Sequence, residues 1–329
     1  MRHDLITTNE AIPALREEWD ALWRRAGARP FQAPAWLLPW WSVFGTRHPR
    51  IATLRDGGGT LRALLPLYRL EENGTAKLLP MGVGITDYTD ALLDPEAPPD
   101  AVTHLLATAL ANETGPCDLP DLPPDAALLA AAPPEGWRAE TWSGEPCPVL
   151  ALPDSVEALR GPVPSNTLRK LRMSRHRAER AGGWSATTAR LDEVPALWER
   201  LVALHQSRWT RKGEKGGVLA DPSVLAFHRA ALPELQAAGA LRLHALKIGG
   251  EIAAVFHTLA GPGRLHLYIG GFDEARAFES PGTLLLGHLI ESAVTEGLRE
   301  IHFLRGAEPY KYAWGAGDRV NTGRRLTRA

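Results

Sequence analysis

The same succession of patterns occurs twice in this chain, and any fold must accommodate both copies. Near the start stands I-P-A-L-R-E-E-W (Ile12 to Trp19), and much later V-P-A-L-W-E-R-L (Val194 to Leu201). A strand-like run, a glycine turn and two more strand-like runs follow the first copy, IATLRDGGGTLRALLPLYRL and then AKLLPMG. The second is followed by LRLHALKIGGEIAAVFHTLA and then RLHLYIGG. The offset stays near half the chain length. One unit used twice predicts two similar α/β domains packed together with a cleft between them. With 329 residues, 44% of them apolar, the chain has enough material for two cores.

Bulk charge narrows the partners little. Lys plus Arg number 37 and Asp plus Glu 38, a formal net charge of −1, so nothing global argues for nucleic acid or an anionic membrane. The two cysteines, Cys117 and Cys147, show no CxxC spacing and no accompanying histidine pair. This excludes a disulfide framework and argues against any metal site. The opening MRHDLITTNEAIPAL lacks the apolar stretch of a signal peptide, and no apolar run approaches membrane-spanning length. The expectation is a cytoplasmic protein, with peripheral membrane contact left open.

Along the chain, Asn9 to Gly27 reads as an amphipathic helix, with Ile12, Leu15, Trp19, Leu22 and Trp23 at three- and four-residue steps. The aromatic segment FQAPAWLLPWW reads as packing that helix on a sheet, the other use of its tryptophans being to hold a ligand. Asp56-Gly57-Gly58-Gly59 is a hairpin turn, Thr60 to Leu70 and Ala76 to Met81 are strands, and Val102 to Ala111 is a helix. From Pro116 to Pro153, short strands and a helix end in an extended crossing segment. The boundary falls near Pro146 to Pro164, giving domains 1–155 and 156–329.

The second half opens on a basic helix, Asn166 to Ala181. Arg169, Arg172, His176 and Arg180 share one face, and Leu171, Ala178 and Ala181 the other. Its positive face suits a coenzyme A phosphate, an anionic polysaccharide, a lipid head group or RNA, or is simply solvated. Helices at Glu193 to Trp209 and Pro222 to Ala238 follow, then a hairpin about Gly249-Gly250, a strand from Arg264 to Gly270, a helix from Ser280 to Glu296 and a strand from Arg299 to Leu304.

Chemistry concentrates in Arg264 to Thr283, which reads as strand, loop and helix start. A helix N-terminus offers unpaired N–H groups and a positive dipole end, suited to a phosphate or diphosphate, and Gly282 allows close approach. Plain capping of the helix explains the same residues. His257 and His266, inside strands, read as satisfied structural histidines. His205, Arg208, Trp209 and Lys212 end a helix at the edge of the expected cleft, where Trp209 either contacts substrate or packs.

Strand, anion-binding turn, helix, strand and a tyrosine-containing tail resembles the GNAT acetyltransferase superfamily. More narrowly, FQAPAWLLPWWSVFG, the D-Y-x-D of Asp87 to Asp90, LHQSRWTRKG, YIGGFD, SPGTLLL and FLRGAEPYKYAWG resemble the CelD-type acetyltransferases associated with cellulose biosynthesis and polysaccharide formation. These are relatives of the FemAB peptidyltransferases. The resemblance covers nearly the whole chain. It implies tandem GNAT-like domains, each a mixed, mostly antiparallel sheet flanked by helices. One departure stands out: the family's [Q/R]-x-x-G-x-[G/A] loop is replaced by Arg276-Ala277-Phe278-Glu279 ahead of Ser280-Pro281-Gly282.

The resemblance implies acyl transfer from acetyl-CoA or another acyl-CoA to an amine or hydroxyl. Ser280, Gly282 and Thr283 would take the donor's diphosphate and Ile269 and Gly270 its pantetheine. The first copy, Met81-Gly82-Val83-Gly84, leads into no glycine-led helix, so the C-terminal domain is expected to bind donor and the N-terminal one to shape the acceptor site. The reaction needs a base, an oxyanion donor and an acid. Glu308 is the base candidate and Tyr310 the acid. Lys311, a substrate-side candidate, either contacts a phosphate or pairs with Glu308, in which case Tyr310 simply packs on a closing helix. Asp87 is a further catalytic candidate, and Tyr88, Asp90, Trp209 and Arg172 are acceptor-side candidates; Asp87 to Asp90 also read as an Asp-rich turn. Two alternatives stay open: FemAB-like aminoacyl or peptidyl transfer from tRNA, and a non-catalytic GNAT-like binding module.

Overall fold

The computed structural model describes residues 1–329 except 47, 73, 212, 214 and 215; Lys212, expected beside the cleft, therefore lies outside the described residues. In chain order the first half runs β1 (Arg2–Ile6), α1 (Ile12–Ala26), α2 (Pro34–Phe44), β2 (Pro49–Arg55), β3 (Leu61–Glu72), β4 (Thr75–Pro80), β5 (Leu92–Leu93), α3 (Ala101–Leu110), β6 (Cys117–Leu122) and α4 (Ala127–Ala130). The long strand β7 (Trp137–Ala151) follows, then α5 (Ser165–Arg180). The second half runs β8 (Trp184–Thr188), α6 (Val194–Arg211), α7 (Pro222–Ala237), β9 (Leu241–Ile248), β10 (Glu251–Gly261), β11 (Arg264–Phe272), α8 (Pro281–Thr295), β12 (Glu300–His302), α9 (Pro309–Tyr312) and β13 (Gly317–Arg328).

The duplicated pattern is a duplicated topology. In the first copy β1 pairs β2, β2 pairs β3 and β3 pairs β4, all antiparallel, and β4 pairs β6 in parallel after α3 crosses over. In the second copy β8, β9, β10 and β11 repeat the antiparallel run, and β11 pairs β12 in parallel after α8. Each copy places two helices between its first and second strands. The matching I-P-A-L and V-P-A-L segments both lie at the start of those helices, α1 and α6, where proline is tolerated because the first turn has no N–H partner to lose.

Two compact units result: Met1–Pro146 with Arg319–Ala329, and Cys147–Asp318. These units differ from a division into 1–155 and 156–329 because of the sixth strand along the hydrogen-bonded path of each. In the first unit β13, from the far end of the chain, pairs β6 with Leu326 opposite Cys117. In the second, the last residues of β7 pair β12, with Ala151, Leu150 and Val149 opposite Glu300, Ile301 and His302.

Each unit has its own core. In the first, Leu105, Leu106 and Ala109 of α3 pack with Leu54, Leu65 and Leu67 of the sheet. Trp19 and Trp36 are fully buried, and their indole N–H groups donate to the Gln32 carbonyl (3.0 Å) and the Thr86 hydroxyl (2.9 Å). The aromatic segment thus packs, as its composition implies. In the second, Leu284, Leu285, Leu289 and Ile290 of α8 pack with Ala254, Leu265 and Ile301. Burying each such leucine contributes roughly 1.5–3 kcal/mol.

Candidate functional site

The second unit contains a cavity of about 390 Å³. Three local features build it. The parallel pairing of β11 with β12 runs only from Arg264↔Glu300 to His266↔His302, while β11 continues to Phe272. Beyond His266 that edge of β11 carries no paired strand among the described residues, so its peptide groups are available to a ligand. On its other edge, β11 meets β10 with a bulge: His257 is opposite Ile269 and Thr258 opposite Leu267, which leaves Tyr268 unmatched. Bulges bend a strand and re-aim its side chains. Here the bend falls in the middle of the cavity wall, where Leu267, Tyr268, Ile269 and Gly270 all line it.

The third feature is the start of α8. Ser280, its N-cap residue, has φ +53° and makes no capping bond; its hydroxyl donates to the Ala277 carbonyl at 3.2 Å instead. Pro281 has no N–H. The amides of Gly282 and Thr283 therefore head a fifteen-residue helix that the Ser280 side chain does not cap. Ser280, Pro281, Gly282 and Thr283 line the cavity. This end of α8 combines unpaired donors with the positive end of the helix dipole, which favours an anion.

Helix α6 closes one side. Gly271 lets it approach: a Cβ there would lie 2.9 Å from the Leu204 Cβ and 3.0 Å from the His205 amide nitrogen. The close approach brings Arg208 to the cavity. Its guanidinium lies 4.8 Å from the Phe272 ring centroid and 5.8 Å from that of Trp209. Among the described residues, Arg208 is the only charged one lining the cavity.

The tail forms the remaining wall through Tyr310 and Trp314. Tyr310 is 49% exposed; the partial burial of its ring, together with the neighbouring Glu308 carboxylate, raises its hydroxyl to about 12, and it keeps its proton at neutral pH. Lys311 is 2% exposed. Its ammonium donates to the carbonyls of Leu304 (3.0 Å), Arg305 (2.6 Å) and Gly306 (3.0 Å) and pairs with Glu308 at 2.8 Å. Of the two readings for Lys311, the structure has the pair. The same amine holds the left-handed turn at Leu304 (φ +61°) that takes the chain out of β12.

The structure thus gathers Ile269, Gly270, Ser280, Gly282, Thr283 and Tyr310 on one cavity, with Glu308 two residues from Tyr310. Others lie elsewhere. Trp209 does not line the cavity; its indole N–H donates to the His205 ring at 3.0 Å. Arg172 is on the exposed face of α5. Asp87, Tyr88 and Asp90 belong to the first unit. The Asp87 carbonyl accepts from Asn321 (2.9 Å), and Tyr88 is buried beneath the Arg29 guanidinium, 5.2 Å from its centroid. Asp90 accepts from the amides of Ala91, Ala127 and Leu128 at 2.9–3.0 Å and so anchors the start of α4. The cavity beside Asp90 holds only about 10 Å³, at most one water.

His257 differs from its sequence expectation. It is fully buried at the bulge, yet neither ring nitrogen has a hydrogen-bond partner among the described residues. Sequence reasoning also passed over Phe256, Tyr268, Phe272 and Trp314 as cavity residues. The one available signal was YIGGF, where two small residues in a strand mark a close approach. No group of His, Cys, Asp and Glu suited to a metal ion occurs among the described residues, and no described helix is long and apolar enough to cross a membrane.

Comparison with known proteins bears on this geometry. Residues 165–312 match the family model of the acetyltransferase (GNAT) domain, and that span contains every residue lining the cavity except Trp314. Among solved structures, FemX is similar at a TM-score of 0.67 and 12% identity, over 98% of this chain and 97% of that one. A conserved protein of unknown function from Bacteroides thetaiotaomicron VPI-5482 gives 0.65 and 12%, over 99% and 100%. L-PGS from Bacillus licheniformis gives 0.58 and 13%, over 95% and 91%. At such identities the likeness is one of fold. No curated protein matches in sequence. The second half of the chain is thus similar to an acetyltransferase (GNAT) domain, and the first half repeats its strand order. A CelD-type specificity is not among these findings.

Proposed function

We propose that this chain transfers an acyl group, in the simplest case acetyl, from an acyl-CoA to an amine or hydroxyl acceptor. The observation that carries the reading is a single cavity joining the unpaired edge of β11 to the open N-terminus of α8. A thioester donor of this kind has a diphosphate, then an arm bearing two amides, then the reacting carbonyl. The amides of Gly282 and Thr283 suit the diphosphate, and the free edge from Leu267 to Gly270 suits the arm as an added strand.

Placed this way, the thioester carbonyl falls near Ile269, whose backbone N–H is the candidate oxyanion donor. The acceptor's nitrogen or oxygen attacks the carbonyl carbon and gives its proton to Glu308. The C–S bond then breaks, and Tyr310, still protonated, donates to the departing thiolate. Arg208 contributes positive charge where negative charge collects.

The test is thiol release from acetyl-CoA with a panel of amines and sugars, alongside a binding titration. Release that depends on acceptor supports the transferase. Donor binding without turnover on any acceptor leaves a binding module, and absence of donor binding removes the reading.

A further inference from the structure

Beside the cavity, on its solvent side, stands a pair that the transfer reaction does not use. The Arg177 guanidinium donates to the Phe278 carbonyl at 2.9 Å and lies 4.4 Å from the centroid of the Phe278 ring. That ring is 63% exposed. The adjoining Ala277 lines the cavity, as does Ser280 two residues on. A large apolar ring held in water by a stacked arginine, at the rim of a cavity, is a surface for a planar group.

The helix that supplies Arg177 is basic beyond this pair. α5 lies against α8 because Gly287 has no side chain: a Cβ there would come within 2.5 Å of Leu171. One of its arginines, Arg175, is neutralised by Glu291. Arg180 is exposed, one turn beyond Arg177, and has no ion-pair partner among the described residues. Spaced by three, the two arginines share a face of the helix. Phe278 precedes Gly282 by four residues, so their Cα atoms lie at most about 14 Å apart.

We propose that Phe278, Arg177 and Arg180 bind the far end of the donor: a purine stacks on the Phe278 ring, and a phosphate monoester on the ribose meets the two guanidiniums. Arginine suits both tasks, being planar, always charged and able to present parallel N–H groups to phosphate. This rests on the acyl-CoA reading of the cavity and adds a selectivity to it. The site prefers a thioester carried on a 3′-phosphorylated nucleotide to the same pantetheine arm carried on a protein, which has no nucleotide.

The test titrates the full chain with CoA, with 3′-dephospho-CoA and with 4′-phosphopantetheine. In the wild-type chain dephospho-CoA should bind at least tenfold more weakly than CoA. In the Arg177→Ala, Arg180→Ala double variant the two should bind alike. Phe278→Ala should weaken both nucleotides about tenfold and leave phosphopantetheine unchanged. Equal wild-type affinity for CoA and dephospho-CoA overturns the proposal while leaving the acyl-CoA reading intact, as does CoA binding indifferent to Phe278. If none of the three ligands binds, the acyl-CoA reading fails first. Salt-sensitive binding of tRNA that is lost in the double variant and not displaced by CoA reassigns the basic face and overturns the nucleotide site.

Discussion

The Lys311 ammonium lies 2.8 Å from the Glu308 carboxylate, one partner almost fully buried and the other more than half exposed. The two ends of this pair have different weights. Lys311 also satisfies three carbonyls of the loop after β12, so Lys311→Met leaves those oxygens without a donor and should destabilise the second unit by roughly 3 kcal/mol. Glu308→Gln removes an exposed partner and should cost under about 1 kcal/mol. If Glu308 is the base, the same variant lowers kcat on the order of 100-fold at unchanged donor affinity. Urea unfolding and steady-state kinetics on the two variants separate these effects. Full turnover in Glu308→Gln returns Glu308 to a structural role.

Ser280 is a β-carbon-bearing residue in a left-handed conformation (φ +53°) ahead of α8. Among the described residues its hydroxyl donates to the Ala277 carbonyl alone. Ser280→Gly should therefore stabilise the loop or leave it unchanged, within about 1 kcal/mol, and keep donor affinity. Ser280→Val places a branched side chain in the same conformation and should lose both stability and donor binding. Thermal unfolding and a CoA titration measure these outcomes; a large loss in the glycine variant would show that the hydroxyl itself contacts the donor.

Gly282 faces the Phe272 ring, and a Cβ there would lie 3.1 Å from it. Phe272 in turn stacks with Arg208. Gly282→Leu should thus do two things: crowd the amides offered to the diphosphate and push Phe272 toward Arg208. CoA affinity should fall at least tenfold, with a smaller change for a pantetheine fragment that lacks the diphosphate. Unchanged CoA affinity would remove the donor site from the head of α8.

The repeat was readable because both copies begin on the same proline-led helix and turn on glycines, Asp56 to Gly59 and Gly249-Gly250, whose chemistry is local. The cavity residues at the head of α8, Ser280, Gly282 and Thr283, were readable for the same reason. What escaped depends on distant pairing. β13 reads GDRVNTGRRLTR, a polar run, yet Arg324 is buried because its guanidinium bonds the carbonyls of Leu128 and Ala131. Nothing near Arg324 in sequence announces that partner. The bulge at Tyr268 likewise comes from the register of β10 against β11. Glu308 and Lys311 were legible as a pair by their spacing, whereas the three carbonyls around Lys311 required the turn at Leu304 to form first.

Buried histidines set the last expectation, acid sensitivity of the second unit. Burial holds His257 down at about 3 and His228 well below its usual value; burial and then the nearby Arg242 hold His244 at about 3. A depressed folded pKa means that the unfolded chain takes up protons first as pH falls. The stability these groups contribute is complete above about pH 6.5 and is lost progressively down to about pH 3. At pH 5 the loss is about 2 kcal/mol for each fully neutral histidine. His257→Leu gives up no hydrogen bond seen among the described residues, so at pH 7.5 it should lie within about 1.5 kcal/mol of wild type. Between pH 7.5 and 5 it should lose less stability than wild type by about the contribution of one histidine. Trp198 lies against His257 (6.1 Å between centroids), so tryptophan fluorescence in urea at the two pH values reports the transition. An equal acid loss in variant and wild type would mean that His257 is already protonated in the folded protein.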